Sequence, residues 1–313
     1  MAQTLAQAAL LSENQLQRGV VETFVQQSPI LDRIPFLNIE GNAYAYNKEL
    51  TLPGVEFRAV NSAYAESTGT INQASESLVI LGGEAHVDTF IQQTRGNLND
   101  QLATQLSLKV KAIGYKFQDS FINGDTAVDA NSFDGLKKRL TGAQNIVAAA
   151  NGTGFGTSDA TRQDVFDHLD NLIGAVPGVD ALYMNAAMLA KVRSAMRRLT
   201  MNTTPIEQFG KQFDVYNGIP LIAIGTKADG TQVIPTNETT GTNTATTSIY
   251  AVKFGVGEGD GGVTGLTNGG VMVENLGKLQ SKPVWGIRIE FFCGLGVFGG
   301  QAAARLSGLS TTL

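Results

Sequence analysis

The feature that most constrains this chain is a helical repeat in its first half. Val87, Ile91, Leu98, Leu102, Leu106, Val110, Ile113, Phe117 and Phe121 fall three or four residues apart, with one seven-residue step across Arg95. Such spacing places apolar side chains on one face of an α-helix. It predicts one continuous helix from about Glu84 to Ile122, on the order of 55 Å long at about 1.5 Å per residue. Average helices have only about 11 residues. Asn123-Gly124 supplies a stop, with a left-handed residue expected at the glycine. Gly96 and Gly114, inside the repeat, are expected at bends or close packing. A strut of this kind implies an elongated molecule.

Before the helix the pattern is that of strands. Residues 1–28 read as a polar helical arm rich in Ala, Gln and Leu, and Pro29 and Pro35 bracket an extended or turning connector. From Asn42 to Leu81, Tyr44, Tyr46, Lys48, Leu50 and Leu52 alternate with small or polar residues, the period of two that a strand requires. Pro53-Gly54 marks a turn, Val55, Phe57 and Ala59 form a second alternating set, and Leu78-Val79-Ile80-Leu81 a third strand. Residues 61–77 are almost wholly polar or small. They cannot cover a core of their own, so they must lie free or upon something else.

After the helix the chain turns to regular α/β structure. A helix is expected from Thr161 to Gly174 and a short strand at 181–184. Asn185 then caps a helix lined by Leu189, Val192, Met196 and Leu199. A buried strand follows at 218–224, a polar loop at 235–248 and a strand at 249–252. Residues 255–270, with eight glycines, read as a surface loop, and Val271 to Phe298 as two or three strands returning to the core.

Composition excludes several functions. Charged residues make up 16% of the 313 residues, against roughly 25% in an average globular domain, which is consistent with surface buried between subunits. The net charge is −5 with no long run of one sign, so sequence-specific nucleic-acid binding is not expected. The densest basic clusters, Lys137-Lys138-Arg139 and Arg193, Arg197 and Arg198, read as solvated helix faces rather than a phosphate site. No apolar run approaches the roughly 18 residues of a membrane span. No basic residue precedes Arg18 to form a signal-peptide n-region. A soluble product made in the cytoplasm is expected.

Enzyme motifs fail on context. Gly294-Leu295-Gly296-Val297-Phe298-Gly299 matches a dinucleotide fingerprint, but fourteen residues remain after it and none is acidic, where a helix, a strand and an acid about twenty positions on are needed. There is no phosphate loop and no G-x-S-x-G elbow. His86 and His168 stand alone, and Cys293, the one cysteine, sits in an apolar run as a buried inert thiol. A classical zinc site is out of reach. Asp125, Asp129, Asn131 and Asp134 miss the calcium-loop register, and Glu258 and Asp260 read as parts of a solvated loop. The glycosylation patterns at Asn151, Asn202 and Asn237 carry no meaning in a cytoplasmic product. No catalytic, cofactor-binding or metal residue is assigned.

The order of these elements resembles the tailed-phage major capsid proteins with the Hong Kong 97-type fold. Residues 60–67 through Leu78-Val79-Ile80 resemble the far side of that family's hairpin. Phe133-Asp134-Gly135-Leu136 resembles the segment after its spine helix, Met184 to Val192 its strand-to-helix step, and Tyr216 to Leu221 its G-x-P strand. The resemblance implies an α+β fold: arm (1–41), extended hairpin loop (42–83), spine helix and first peripheral part (84–160), axial domain (161–270) and a return to the periphery (271–313). It also implies a non-enzymatic shell protein, located in the virion, forming pentamers and hexamers around double-stranded DNA. The hairpin and arm would reach neighbouring copies. With little room before Pro29 for a removable segment, either a separate scaffold is expected or such a segment is already absent; a portal is expected too, with room for a decoration protein and no membrane partner. An encapsulin-type nanocompartment shell is the alternative. Leu102→Asp is expected to block folding or assembly by burying an unpaired charge.

Overall fold

The computed structural model describes residues 28–95, 101–156, 158–200, 206–208 and 211–311. The arm helix expected over 1–28, Gly96, Leu98 and Asn202 lie outside these residues, Ser28 apart. Pro29 and Pro35 do bracket a turn, in which the Ile34 N–H donates to the Ile30 carbonyl at 2.9 Å. Ile30, Leu31 and Ile34 are fully buried, so this segment plugs a core rather than merely linking two elements.

Strand β1 (Phe36–Asn38) leads to β2 (Ala43–Thr51), β3 (Thr70–Ser77) and β4 (Val79–Asp88). β2 and β3 form a separate antiparallel ribbon, from Ala43 opposite Ser77 to Thr51 opposite Thr70. The helical repeat is cut short at its start. Glu84 to Asp88 belong to β4, helix α1 covers Thr89–Arg95, and helix α2 covers Gln101–Asn123, about 35 Å. Val87 fits both periods. It continues Val79, Leu81, Gly83 and Ala85 at every second residue, the set that faces inward, while residues 79–88 pair along their length with residues 284–293. That ladder satisfies backbone groups a helix would otherwise have to pair itself. From Leu106 onward the repeat holds: Leu106, Val110, Ile113, Phe117 and Phe121 are buried. Gly124 follows α2 as expected, yet without a positive φ. It is glycine because a Cβ there would collide with the carbonyls of Ser120 and Phe133.

Next come the short helix α3 (Leu136–Arg139), β5 (Asn145–Val147), β6 (Thr153–Gly154), α4 (Asp159–Gly174), β7 (Ala181–Asn185) and α5 (Ala186–Arg198). Asn185 caps α5 as expected, its carboxamide oxygen accepting from the Ala187 N–H at 2.8 Å. Strands β8 (Ile206–Gln208), β9 (Lys211–Phe213), β10 (Val215–Tyr216), β11 (Ile219–Ile224), β12 (Glu238–Thr240) and β13 (Asn243–Val252) follow. The chain closes with β14 (Val263–Lys278), β15 (Val284–Val297) and β16 (Ala303–Ser310).

Two sheets organise these strands, apart from the β2–β3 ribbon and the separate antiparallel pair β8–β9. One has the order β1-β14-β15-β4; the other runs β10-β11-β7-β13-β16-β5, with β12 on β13 and β6 on β16. The segment 271–313, expected to return as one piece, therefore divides. β14 and β15 form the centre of the four-stranded sheet, and β16 crosses to pair with β13 in the other. The expected glycine loop is a loop only to Gly262. Val263, Thr264 and Leu266 are fully buried in β14, and Gly265 lies so close to Phe36 that a Cβ would sit 2.6 Å from the ring. The expected polar loop at 235–248 is mostly strand: Thr246, Thr247 and Ser248 are buried, with the Thr246 hydroxyl donating to the Glu238 carbonyl at 2.8 Å. A strand tolerates a buried hydroxyl where a neighbouring oxygen accepts from it, as the Glu238 carbonyl does for Thr246 and its carboxylate for Ser248; the Thr247 hydroxyl has no hydrogen-bond partner among the described residues.

The eight-stranded sheet carries a core on each face. Leu182, Met184, Ile249, Ala251 and Leu306 meet α4 and α5. Ala181, Tyr183, Tyr250 and Val252 meet the core shared by α2 and the four-stranded sheet. Phe117 of α2 packs against Phe36 and Phe291 with ring centroids 6.1 and 6.0 Å away.

Candidate assembly surfaces

Beyond Thr51 and Thr70 the β2–β3 ribbon continues as residues 52–69 without strand pairing. Side chains brace this tip from within. The Glu56 carboxylate accepts from the Ala65 N–H at 2.7 Å, the Ser67 hydroxyl donates to the Gly54 carbonyl at 2.9 Å, and Arg58 donates to the Ser62 carbonyl at 3.2 Å. The Arg58 guanidinium also lies 5.2 Å from the Tyr64 ring centroid. Val55, Phe57 and Ala59, expected in a strand, are in none. Every residue from 51 to 73 is exposed, with Val55 at 95% and Phe57 at 107%. Leu52, Val60, Tyr64 and Ile71 are exposed too. The tip is thus preorganised, apolar and unburied. Apolar surface is worth roughly 25 cal/mol per Å² once covered, and exposure gathered in one place marks an interaction surface.

The root of the ribbon is fixed. Tyr44 and Tyr46 pack edge-on against Phe298 at 5.7 and 4.9 Å, beside Ile39 and Leu266. Arg139 of α3 donates to both carboxylate oxygens of Glu76 at 2.5 and 2.6 Å and to the Asp134 carbonyl at 2.7 Å. Burial works against the Arg139 charge, but the hydrogen bonds and charge of Glu76 hold its pKa above the ordinary arginine value. Burial, and then Glu76, raise the Tyr46 phenol. The tip is free, and the base is clamped.

The residues screened for chemistry stand apart. The fingerprint Gly294–Gly299 occupies the end of β15 and the turn after it, with β16 rather than a helix following. His86 lies on β4, not at a helix start, its ring 3.3 Å from Glu84 on an exposed face where Arg288 also binds Glu84. His168 lies on α4. Cys293 is buried, and burial pushes its thiol up to about 12. Asp125 and Asp134 face a cation from the chain itself: the Lys138 ammonium lies 2.5 Å from Asp125 and 3.0 Å from Asp134. Glu258 and Asp260 form an exposed turn in which Asp260 accepts from the Val256 N–H at 2.9 Å. Among the described residues no group of three or more His, Cys, Asp or Glu is placed to hold a metal ion. No described helix is long and apolar enough to cross a membrane.

No curated protein matches the sequence at a significant level. The family model described as Major capsid protein GP7 matches residues 12–162, a little under half of the chain. In fold, 91% of the chain is similar to 88% of a chain in the holo-SrpI encapsulin complex from Synechococcus elongatus PCC 7942, with a TM-score of 0.67 at 19% identity. It is similar to the capsid of a native GTA particle over 90% of each chain, with a TM-score of 0.62 at 16% identity. It is also similar to a chain of Microbacterium phage Oxtober96 over 90% of this chain and 91% of that one, with a TM-score of 0.59 at 11% identity. The chain has the Hong Kong 97-type major capsid fold.

In this Hong Kong 97-type chain, α3 joins the parts. Its consecutive cations, read from sequence as a solvated face, each bind a different element. Lys137 pairs with Glu238 of β12 at 2.9 Å, Lys138 with the loop after α2, and Arg139 with the hairpin root. Glu238, with its side chain 8% exposed, also binds Arg305 of β16 at 3.1 Å and accepts from the Ser248 hydroxyl. Burial raises the Glu238 carboxyl, but Ser248, Lys137 and Arg305 outweigh it and hold the pKa below the ordinary range. Sequence reasoning missed Glu76 and Glu238, since their partners lie 63 and 67 residues away and leave no local signal. The second basic cluster conforms better: Arg197 and Arg198 are exposed, and Arg193 pairs with Asp214.

Proposed function

We propose that this protein is the major capsid protein of a tailed bacterial virus. Copies form pentamers and hexamers that close into an icosahedral shell around double-stranded DNA, built in the host cytoplasm with a separate scaffold and portal. The chain catalyses nothing and needs no cofactor; its mechanism is assembly. The carrying observation is the hairpin, whose tip holds Leu52, Val55, Phe57 and Val60 in water while Glu76 and Arg139 fix its base. A lone molecule gains nothing from that arrangement, whereas a neighbouring copy covering the tip buries it. Many such contacts, each modest, sum by multivalency.

On this reading residues 42–83 are the hairpin loop and α2 is the rigid core of the spine. The axial domain is built on the eight-stranded sheet, including β16 from the chain's end. Electron microscopy of the purified protein tests the proposal. Closed shells or five- and six-membered capsomers are expected, and a compact monomer at high concentration refutes it. The fold shared with the SrpI encapsulin keeps a nanocompartment shell as the second reading. Mass spectrometry and nucleic-acid assay of native particles separate the two: a packaged genome supports the virus, protein cargo without a genome the compartment.

A further inference from the structure

We propose that the acidic outer face of α4 on one copy docks against the basic outer face of α5 on a second copy of this chain. This rests on the shell reading and names a contact within it. Both helices lie on one face of the eight-stranded sheet and share a core, with Val165, Phe166 and Leu169 from α4 and Met188, Val192 and Met196 from α5. α4 packs on β16 and β6, and α5 on β11 and β7, which stand towards opposite ends of the strand order.

Their outward faces are opposite in charge. α4 exposes Asp164, Asp167 and Asp170, with Asp159 at its start. α5 carries Lys191, Arg193, Arg197 and Arg198 and no acidic residue. Some of these charges are used within the chain: Asp159 binds Arg162, Asp170 accepts from Tyr216 and Asn217, and Arg193 binds Asp214. Asp164, Asp167, Lys191, Arg197 and Arg198 form no ion pair among the described residues. Each face therefore holds like charges one turn apart, which repel where they are not countered. The spans agree: Asp164 to Asp170 covers about 9 Å of axis and Lys191 to Arg198 about 10 Å.

The partner is a second copy, because the chain supplies both halves of the match on separate faces. A contact of one patch against a different patch repeats head to tail and closes into a ring when the rotation allows. Complementary charge sets register and orientation in such a contact. Nucleic acid would satisfy the α5 face but leave the α4 acids unmatched.

Charge reversal tests this in the full chain. Asp164→Lys with Asp167→Lys, or Arg197→Glu with Arg198→Glu, should each raise the concentration needed for assembly roughly tenfold, since exposed pairs are individually weak but repeat around every ring. The four changes together should restore assembly towards the wild-type level. The two reversed proteins, mixed in equal amounts, should co-assemble although neither does so alone. Assembly should also fall with rising salt, given a Debye length of about 10 Å at 0.1 M. If both reversed proteins assemble like the wild type, or the fourfold variant stays defective while folded, the docking is overturned and the shell reading stands. If Arg197→Glu with Arg198→Glu assembles normally but loses nucleic acid from its particles, the α5 face serves DNA and the docking is likewise overturned. If the wild type forms no shells, the shell reading itself fails. Should a reversed protein not fold, Asp164→Asn with Asp167→Asn decides the matter: a several-fold weaker, less salt-sensitive assembly supports the contact, and unchanged salt dependence overturns it.

Discussion

Replacing Arg139 with alanine should loosen the hairpin at its root while leaving both cores intact. Arg139 makes two charge-assisted bonds to Glu76, at 2.5 and 2.6 Å, and a third to the Asp134 carbonyl. The two side chains are 19% and 16% exposed. A solvated pair contributes about 0–1 kcal/mol, and breaking a fully buried one costs about 3–5 kcal/mol because it strands a charge. This pair is largely but not wholly out of water, so the expected loss is about 2–3 kcal/mol. Urea unfolding of unassembled subunits, with Glu76→Ala, Arg139→Ala and the double variant, gives the coupling directly. It should reach about 2 kcal/mol, as for contacting groups in one network. Hydrogen exchange should quicken in residues 43–51 and 70–77 and stay unchanged in α4 and α5. A coupling below about 0.5 kcal/mol, the level of independent sites, would refute the idea that this pair clamps the ribbon.

Three further outcomes follow from the geometry. Phe117→Ala should cost about 3–5 kcal/mol in denaturant unfolding, because the ring is fully buried between Phe36, Phe133 and Phe291; a loss under 1 kcal/mol (roughly the scale of Ile→Val) would show that α2 is not the strut. Val55→Ser with Phe57→Ser should leave subunit stability within about 0.5 kcal/mol, as for exposed sites, yet abolish shells in the microscope; normal shells would remove the tip from assembly. Acid should destabilise the subunit through Glu238, Asp125 and Asp134, whose carboxyls are held below their ordinary values. The folded state favours their charged forms, so that stability is complete above the ordinary carboxylate range and is lost as pH falls through the lowered folded values. Melting temperature measured downward from neutral pH should drop in acid, with a shallower fall in Glu238→Gln, and an identical fall in the variant would show that Glu238 plays no part.

The sequence was most legible where one period acted alone. From Leu106 to Phe121 only the helical spacing fits, and the helix is there; Asn185 caps α5 with its own side chain as expected, whereas α4 starts at Asp159 behind a Ser158 cap, two residues before the expected Thr161. It was least legible where two patterns overlap or where small residues hide a strand. Val87 belongs to both a helical and an alternating set, and pairing with residues 284–293 decides it. Ala302, Ala303 and Ala304 are almost fully buried at the start of β16, but alanine has little preference for strands and announces nothing. Gly265 looked like loop because its role is to admit Phe36, a partner 229 positions away in sequence and adjacent only after folding.

The same distinction separates the hairpin's tip from its root. Exposure of Val55 and Phe57 goes with their own segment, since the hydrogen bonds of Glu56, Arg58 and Ser67 stay within the tip and every residue from 51 to 73 is exposed. The clamp depends on α3, where Lys137, Lys138 and Arg139 bind β12, the loop after α2 and β3 in turn. Three adjacent cations on a four-residue helix cannot all face one way, so α3, anchored in the core by the fully buried Leu136, ties three elements to one another. A force applied to the ribbon in an assembling shell would therefore reach the eight-stranded sheet through Glu76, Arg139, Lys137 and Glu238, because these are the charge pairs that join the two through α3. Lys137→Ala should leave the hairpin clamped yet uncouple it from that sheet. Exchange in β2 and β3 would stay as in the wild type while β12 opens faster, and equal acceleration in both would show that the two links act as one.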